Sequence, residues 1–347
     1  MKITATTPNR IDLAGGTLDI HPLYIFENGG MTVNLGIDLE SRVELETRED
    51  KRIVLTSHDL GLTREYESLS ALKSAPPFGG PLDLLARAVV FFEPSTGLTL
   101  RTRNDAPRGS GLGASSALLM AMFGALSRLE AEPPSIPHLI DWGANLEAQN
   151  LAIPTGKQDY FAAIYGGLSA IWFELRGNRH EAIEPANDFL SVLDSHIVLS
   201  FTGVSHFSGT NNWNMMKRYI DREGDTVERL GAIRETAHAM REAVSRGDIQ
   251  AIAEVLDEEW RHRKELAEGV STPEIDRMVA SARRAGAYAS KICGAGGGGC
   301  LFTLAPPSSA EQVRKALRAE GAQPLPCHIR RHGLHIETTH TVEVHAP

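Results

Sequence analysis

Several short segments of the chain alternate apolar and polar positions, a pattern typical of half-buried strands. We predict strands over Lys2–Thr7, Met31–Leu35, Ser41–Thr47, Ile53–Thr56 and Leu98–Arg103. Residues 8–10, Pro-Asn-Arg, are expected to interrupt the first of these strands. The first half of the chain is therefore predicted to be led by strands.

Longer segments space their apolar residues as amphipathic helices do. We predict helices over Ser115–Leu129, Ile136–Leu151, Asp225–Arg246, Ile249–Ala267, Pro273–Ala285 and Ser309–Glu320, and strands over Ser195–Phe201, Cys300–Leu304 and His328–Glu337. In Phe161–Phe173, a Gly-Gly turn is expected to separate a helix end from a strand. The polar stretch near residues 180–195 suggests a boundary, with domains at 1–187 and 188–347.

Residues 107–117, PRGSGLGASSA, precede a strongly apolar predicted helix and form what we call the phosphate loop. Glycines let the backbone approach an oxyanion, and a helix start offers unpaired N–H groups and partial positive charge. The candidate nucleotide-binding residues are Pro107, Arg108, Gly109, Ser110, Gly111, Leu112, Gly113, Ala114, Ser115 and Ser116. The spacing matches neither a Walker A motif nor a Rossmann fingerprint. Taken alone, this stretch could also be a turn that caps a buried helix.

Two further clusters carry glycine: PNRIDLAGGTLD at residues 8–19 and KICGAGGGGCLF at 291–302. The run at 294–299, which we call the glycine run, holds five glycines in six residues. Such a segment cannot be regular helix or central strand at reasonable cost, and it lets a ligand or another backbone come close. A tight connection between strands is the alternative.

These three clusters, in this order, resemble the three motifs of GHMP kinases, and the resemblance spans roughly residues 3–337. The stretches GKQDYFAAIYGG and FTGVSHFSG are most similar to the bacterial sugar-1-kinase branch that includes D-glycero-D-manno-heptose 7-phosphate kinases. The resemblance implies an α+β, two-domain fold: a ribosomal protein S5 domain 2-like N-terminal domain and a ferredoxin-like C-terminal domain. It also places the active site in the cleft between them.

The resemblance implies roles for single residues. Asp159 would be the base or orienting acid and Arg10 its basic partner, while Ser116 and Glu147 would hold Mg²⁺ on ATP. The substrate-binding residues would be Arg10, Gly16, Asp19, His21, Asp159, His206, Gly296 and Gly297. From the residues alone, a helix cap, a solvated glutamate and a structural ion pair remain open for Asp159, Glu147 and Arg10.

Two departures bear on the substrate. His206 stands where heptose kinases usually have arginine, and GGTLD replaces the GGGTD common in that branch. A neutral histidine grips a phosphate less well than arginine. Replacement charge could come from Lys157, Arg218 or Arg330.

We therefore expect an ATP-dependent kinase of a sugar or sugar phosphate, acting at the anomeric hydroxyl, with heptose 7-phosphate as the best candidate. Fucose, galactose, a uronic acid, mevalonate, a related decarboxylase activity and a non-catalytic sensor are the alternatives. A net charge of −9 disfavours nucleic-acid and anionic-membrane partners. Three unpaired cysteines, and the absence of a signal or membrane segment, predict a cytoplasmic protein, either monomer or homodimer.

Overall fold

The computed structural model of the chain describes residues 1–75, 80–204 and 208–339. The strands are β1 (Lys2–Ala14), β2 (Gly30–Arg48), β3 (Ile53–Ser57), β4 (Leu62–Tyr66), β5 (Gly97–Asn104), β6 (Leu168–Glu174), β7 (Gly177–Ala182), β8 (Ile197–Phe201), β9 (Ala289–Ile292), β10 (Cys300–Leu304), β11 (Gln323–Leu325) and β12 (His335–Thr339). The helices are α1 (Leu23–Phe26), α2 (Leu69–Lys73), α3 (Asp83–Phe92), α4 (Ala114–Leu126), α5 (Ile136–Leu151), α6 (Gln158–Tyr165), α7 (Phe189–Ser195), α8 (Ser208–Ile220), α9 (Thr226–Arg246), α10 (Ile249–Arg263), α11 (Pro273–Arg284) and α12 (Ala310–Ala319).

The larger sheet has eight strands in the order β12-β1-β2-β5-β3-β4, with β6 pairing β2 and β7 pairing β6. All its pairs are antiparallel except β3 with β5. Helix α4 packs on this sheet and is buried along most of its length, because its apolar side chains point both to the sheet and to neighbouring helices. This burial fixes the helix whose first turn is formed by the last residues of the phosphate loop.

The smaller sheet has four strands in the order β11-β8-β10-β9, all antiparallel. A helical segment made of α8, α9, α10 and α11 lies between β8 and β9, and α12 lies between β10 and β11. This β-α-β-β-α-β order is typical of ferredoxin-like domains. The two sheets meet through one apolar cluster that joins Ile11 and Val33 of the larger sheet to Leu199 and Met240 of the smaller unit.

Three predicted strand boundaries are wrong. β1 continues through residues 8–10 to Ala14, because the irregularity that Pro8 introduces is absorbed by a register shift against β2. Met31–Leu35 and Ser41–Thr47 belong to one strand, β2: its first half is buried on both faces and its second half alternates. The last strand starts at His335 rather than at His328.

Two predicted helices are shorter in the structure, because α4 passes into a 3-10 turn at Ser127–Leu129 and α10 ends at Arg263. The predicted helix over Ile136–Leu151 is confirmed at both ends. The predicted boundary at residue 187 stays a prediction. The structure adds that β12 crosses back to pair with β1 of the larger sheet. No helix within the described ranges is both long and apolar enough to span a lipid bilayer.

Candidate active site

The phosphate loop adopts left-handed backbone at every second residue: Gly109, Gly111 and Gly113 have φ values of 68°, 71° and 74°. Only glycine adopts this conformation without strain. Gly113 also caps α4, and its carbonyl accepts the N–H of Ala117 at 2.9 Å. The loop therefore presents backbone to its surroundings at the N-terminus of a buried helix, a setting that favours an anion.

Arg10 and Asp159 form a close ion pair next to this loop. Arg10 Nε and Nη2 both contact Asp159 Oδ1, at 2.7 and 2.6 Å, and Nη1 donates to the Gly111 carbonyl at 2.6 Å. A Cβ on Gly113 would lie only 2.9 Å from Asp159 Cγ. The carboxylate is thus seated directly against the loop. Burial opposes the charge of Arg10, but the attraction of Asp159 and Asp12 raises its pKa.

Glu147 gathers the hydroxyl groups at the start of α4. Its Oε2 accepts the Ser116 hydroxyl at 2.6 Å, and its carboxylate also accepts the hydroxyls of Ser115 and Tyr160. Burial raises the pKa of Glu147, although these three hydroxyl groups oppose the shift. The structure therefore brings together both predicted metal ligands. Tyr160 was not predicted, although its place directly after Asp159 in the sequence could have suggested it.

Asp19 is buried beside the start of α6, the helix that carries Asp159. Its Oδ2 accepts the N–H of Gln158 at 3.1 Å. A Cβ on Gly156 would lie 1.9 Å from the same oxygen, so the carboxyl group needs glycine there. Burial and the nearby charge of Asp159 raise the pKa of Asp19 to about 6.

The glycine run packs against the phosphate loop backbone to backbone. A Cβ on Gly111 would lie 2.2 Å from the Cys293 carbonyl oxygen, and one on Gly299 would lie 2.6 Å from that of Ser110. Cys300 N also donates to the Ser110 carbonyl at 2.7 Å. The run also connects β9 to its antiparallel neighbour β10, so both alternatives hold: it joins two strands, and its glycines come close to another backbone. Cys293 and Cys300, which flank the glycine run, are both buried.

The remaining predicted substrate residues lie in several places. Gly296 and Gly297 face Val270, whose carbonyl accepts Gly297 N at 2.8 Å. Gly16 lies between Asp12 and Gln158. His21 is exposed, with its ring edge-on to Tyr24. His206 lies outside the described residues.

The three candidate replacement charges all have protein partners. Lys157, which precedes α6, contacts Asp141 at 2.7 Å. Arg218 donates to the Leu266 carbonyl at 3.1 Å, and Arg330 contacts Glu40. Of the three, Lys157 lies two residues before Asp159 and directly before Gln158, whose N–H donates to Asp19.

Sequence reasoning missed four buried charged residues next to Arg10 and Gly16. Asp12, Glu259, Arg263 and Lys291, here called the buried ion cluster, are each at most 1% exposed. Lys291 Nζ contacts Asp12 Oδ1 at 2.7 Å and Glu259 Oε2 at 3.1 Å, and Arg263 Nε donates to Glu259 Oε1 at 2.6 Å. Burial alone would raise the pKa of Asp12, but Lys291, Arg263 and Arg10 hold it well below its usual range.

A surface cavity of about 640 Å³ is formed by side chains of β2, β5 and the turn after β3. Its lining residues are Arg42, Glu44, His58, Asp59, Arg101, Thr102 and Arg103. Asp59 Oδ1 accepts Asn104 N at 2.8 Å, and the Asn104 side chain reaches the Ala114 carbonyl at 3.0 Å. The cavity therefore adjoins the segment that leads into the loop, although none of the predicted site residues lines it.

Two family models match the chain: the GHMP kinases N terminal domain over residues 83–167 and GHMP kinases C terminal over residues 240–323. The D-glycero-alpha-D-manno-heptose 7-phosphate kinase of Campylobacter jejuni is 32% identical over 326 residues, covering 92% of this chain and 94% of the relative. A mevalonate kinase of Pyrococcus furiosus is 28% identical, covering 97% and 99%.

Among solved structures, a D-glycero-D-manno-heptose 1-phosphate kinase from Bacteriodes thetaiotaomicron superposes with a TM-score of 0.78 at 24% identity, covering 98% of this chain and all of the other. At that identity the likeness bears on the fold alone, and it confirms the predicted two-domain α+β architecture. The sequence matches go further. The two family models match a part of each half of the chain, the first of which includes the phosphate loop, and the heptose kinase relative covers nearly the whole length. The chain therefore belongs to the GHMP kinase family.

Proposed function

We propose that this GHMP kinase transfers a phosphoryl group from ATP to the anomeric hydroxyl of a sugar phosphate, with D-glycero-D-manno-heptose 7-phosphate as the leading acceptor. The observation that carries the proposal is the Arg10–Asp159 pair seated against Gly111 and Gly113 of the phosphate loop. This arrangement puts a carboxyl group and a fixed cation beside a backbone suited to phosphate. Phosphoryl transfer needs these elements of positioning and charge stabilisation.

In the proposed mechanism, the phosphate loop holds the triphosphate, and the cavity beside Arg103 takes the base and ribose. Asp159 accepts the proton of the attacking hydroxyl at Oδ2, because Arg10 engages Oδ1. The new oxygen–phosphorus bond forms as the bond to ADP breaks. Arg10 holds Asp159 in place and stabilises charge that develops on the transferred group. Asp19, once ionised, accepts hydrogen bonds from acceptor hydroxyls.

The residues at the start of α4 fit Mg²⁺. Ser116 Oγ and Glu147 Oε2 lie 2.6 Å apart, and a hydroxyl with a carboxylate is the hard oxygen set that this ion prefers. In the described part of the chain, no group of three or more His, Cys, Asp or Glu residues is arranged to hold a metal. Ser116 and Glu147 would therefore act together with phosphate oxygens. When bound, the ion would neutralise charge on the phosphates.

The acceptor is supported by the heptose 7-phosphate kinase relative, which covers nearly the whole chain. The test is ADP release from ATP and Mg²⁺ with a panel of heptose 7-phosphate, the free heptose, fucose, galactose, a uronic acid and mevalonate. We expect turnover with the heptose phosphate and a phosphate ester on its anomeric carbon by phosphorus NMR.

The free heptose is the matched control for phosphate recognition, since only the 7-phosphate differs. Equal kcat/KM values for the two sugars would remove the phosphate from the proposed acceptor. Turnover with mevalonate alone would overturn the sugar assignment. ATP binding without turnover on any alcohol would favour a ligand sensor.

A further inference from the structure

The buried ion cluster joins the smaller unit to the loop that bears Asp19. Arg263, on α10, donates from Nη2 to the Gly16 carbonyl at 2.8 Å and from Nη1 to Thr17 Oγ1 at 3.2 Å. We call residues 15–20 the acceptor loop, because Asp19 lies within it. Arg263, the last residue of α10, therefore holds the backbone just before Asp19, a proposed substrate-binding residue.

The acceptor loop contains a strained residue at the contact with Arg263. Thr17 has a φ of 77°, a left-handed conformation that a β-branched residue rarely adopts. Such a conformation persists only where its surroundings fix it. Arg263 supplies one fixing contact to Thr17 Oγ1, and Met215 Sδ accepts from the same hydroxyl at 3.5 Å.

The buried ion cluster also extends toward the Arg10–Asp159 pair. Lys291, at β9, contacts Asp12 on β1, two residues after Arg10. Arg10 in turn holds Asp159. The same cluster thus reaches the acceptor loop through Arg263 and the Arg10–Asp159 pair through Lys291.

We infer that Arg263 and Lys291 are positioning residues. Arg263 fixes the acceptor loop and Lys291 fixes the segment of β1 that carries Arg10, both in the geometry that acceptor binding and catalysis require. The inference rests on the proposed function, since it assigns these residues to acceptor binding and to catalysis. Fully buried ion pairs are poor devices for stability alone, because desolvation offsets most of their attraction. Their value here is a defined geometry for the strained loop beside Asp19.

The first test is the double variant Glu259→Gln/Arg263→Met. It removes one acid and one base, so the Asp12–Lys291 pair remains balanced. We expect amide hydrogen exchange in residues 15–20 to rise by about tenfold or more, since charge-assisted hydrogen bonds are lost there. Exchange in α4 should stay unchanged. In turnover assays the KM for the acceptor sugar should rise about tenfold or more, with the KM for ATP within about twofold of the parent value.

The second test is Asp12→Asn/Lys291→Met, which leaves the Glu259–Arg263 pair balanced. Because Lys291 and Asp12 connect to Arg10, we expect kcat per ATP-binding site, with the sites counted by ATP titration, to fall by about tenfold or more while the acceptor KM changes little. The first double variant should therefore change mainly the acceptor KM, and the second mainly kcat. If the cluster only stabilised the fold, each double variant would contain a smaller fraction of active protein, and its KM for the acceptor and its KM for ATP would stay at parent values.

Arg234→Met is the matched control. Arg234 is also an arginine of a C-terminal helix that holds a carbonyl of the N-terminal region, donating to Glu27 O at 2.6 Å. We expect it to leave exchange in residues 15–20 and the acceptor KM at parent values. A uniform rise in exchange across the chain in the double variants, or the same local change in Arg234→Met, would overturn the inference.

The exchange measurement needs no substrate, so it tests the inference even if the parent protein turns over none of the acceptors. That failure of the parent would overturn the proposed function. A parent that is active, with double variants that show neither local exchange nor a KM–kcat separation, would overturn the positioning role alone.

Discussion

At the residue scale, Asp159 carries the chemistry of the proposal. Asp159→Asn keeps the size of the side chain but removes the proton acceptor. We expect kcat to fall by about 10²–10⁴-fold, because general-base catalysis contributes about that much. ATP affinity, measured by calorimetry, should stay within a few-fold of the parent value. A variant with full turnover would show that Asp159 only orients Arg10.

Asp19 makes a prediction about pH. Its pKa is raised to about 6 by burial and by Asp159, and only the ionised carboxylate accepts from two acceptor hydroxyls. Acceptor kcat/KM should therefore be highest above pH 6 and fall as pH drops through that value. A pH profile from 4.5 to 8 measures this. Asp19→Asn should lower kcat/KM and remove that acidic limb, whereas a limb that persists in the variant would belong to another group.

Ser116 belongs to the same scale. Ser116→Ala removes the hydroxyl that faces Glu147, one of the two proposed protein ligands for Mg²⁺. We expect affinity for ATP to weaken in the presence of Mg²⁺ and to change little in its absence, as measured by titration under both conditions. Equal losses would assign Ser116 to the shape of the loop.

At the element scale, the phosphate loop and the glycine run hold each other in place. Gly111→Ala would put Cβ at 2.2 Å from the Cys293 carbonyl, in a left-handed conformation. Gly61 offers a matched control, because it has a φ of 61° and, among the residues that the structure describes, no atom apart from its chain neighbours lies within 4 Å of its Cβ position. Gly61→Ala should lower the free energy of unfolding only by the cost of placing alanine in a left-handed conformation, about 1–2 kcal/mol.

Urea unfolding compares the two substitutions. Gly111→Ala should lose clearly more stability than Gly61→Ala, because backbone atoms must also move, and should weaken ATP binding. Equal losses would show that the two loops separate easily, and that their contact does not shape the phosphate site.

Local patterns predicted those elements whose stabilising contacts lie close in sequence. The helix over Ile136–Leu151 has Ser135 before it and proline in its first turn, which mark its start, and the PTGK stretch at 154–157 follows its end. The phosphate loop is likewise marked by its own glycines. β1 and β2 were harder, because burial on both faces removes alternation from part of each strand.

The buried ion cluster could not be predicted from the sequence. Lys291 and Asp12 are 279 positions apart, and Arg263 is 247 positions from Gly16. No spacing rule reaches that far, and each residue alone resembles an ordinary charged position on a helix or strand. Only the approach of the two sheets reveals that these groups are buried together.

At the scale of the whole molecule, the two sheets are joined by one apolar cluster and by the buried ion cluster. We therefore expect the chain to unfold in one cooperative transition, despite its two sheets. Far-UV and near-UV circular dichroism should give coincident denaturation curves, and calorimetric and van't Hoff enthalpies should agree. Two resolved transitions would mean that the contacts between the sheets are weak.

The pairing of β12 with β1 sets an order of events during synthesis. Lys2 lies opposite Thr339, so β1 leaves the ribosome more than 300 residues before the strand that pairs its outer edge. Until then, β1 presents unsatisfied backbone groups on which other chains can assemble. Slow translation of the second half would lengthen that exposure, which makes the nascent N-terminal sheet a natural client for chaperones.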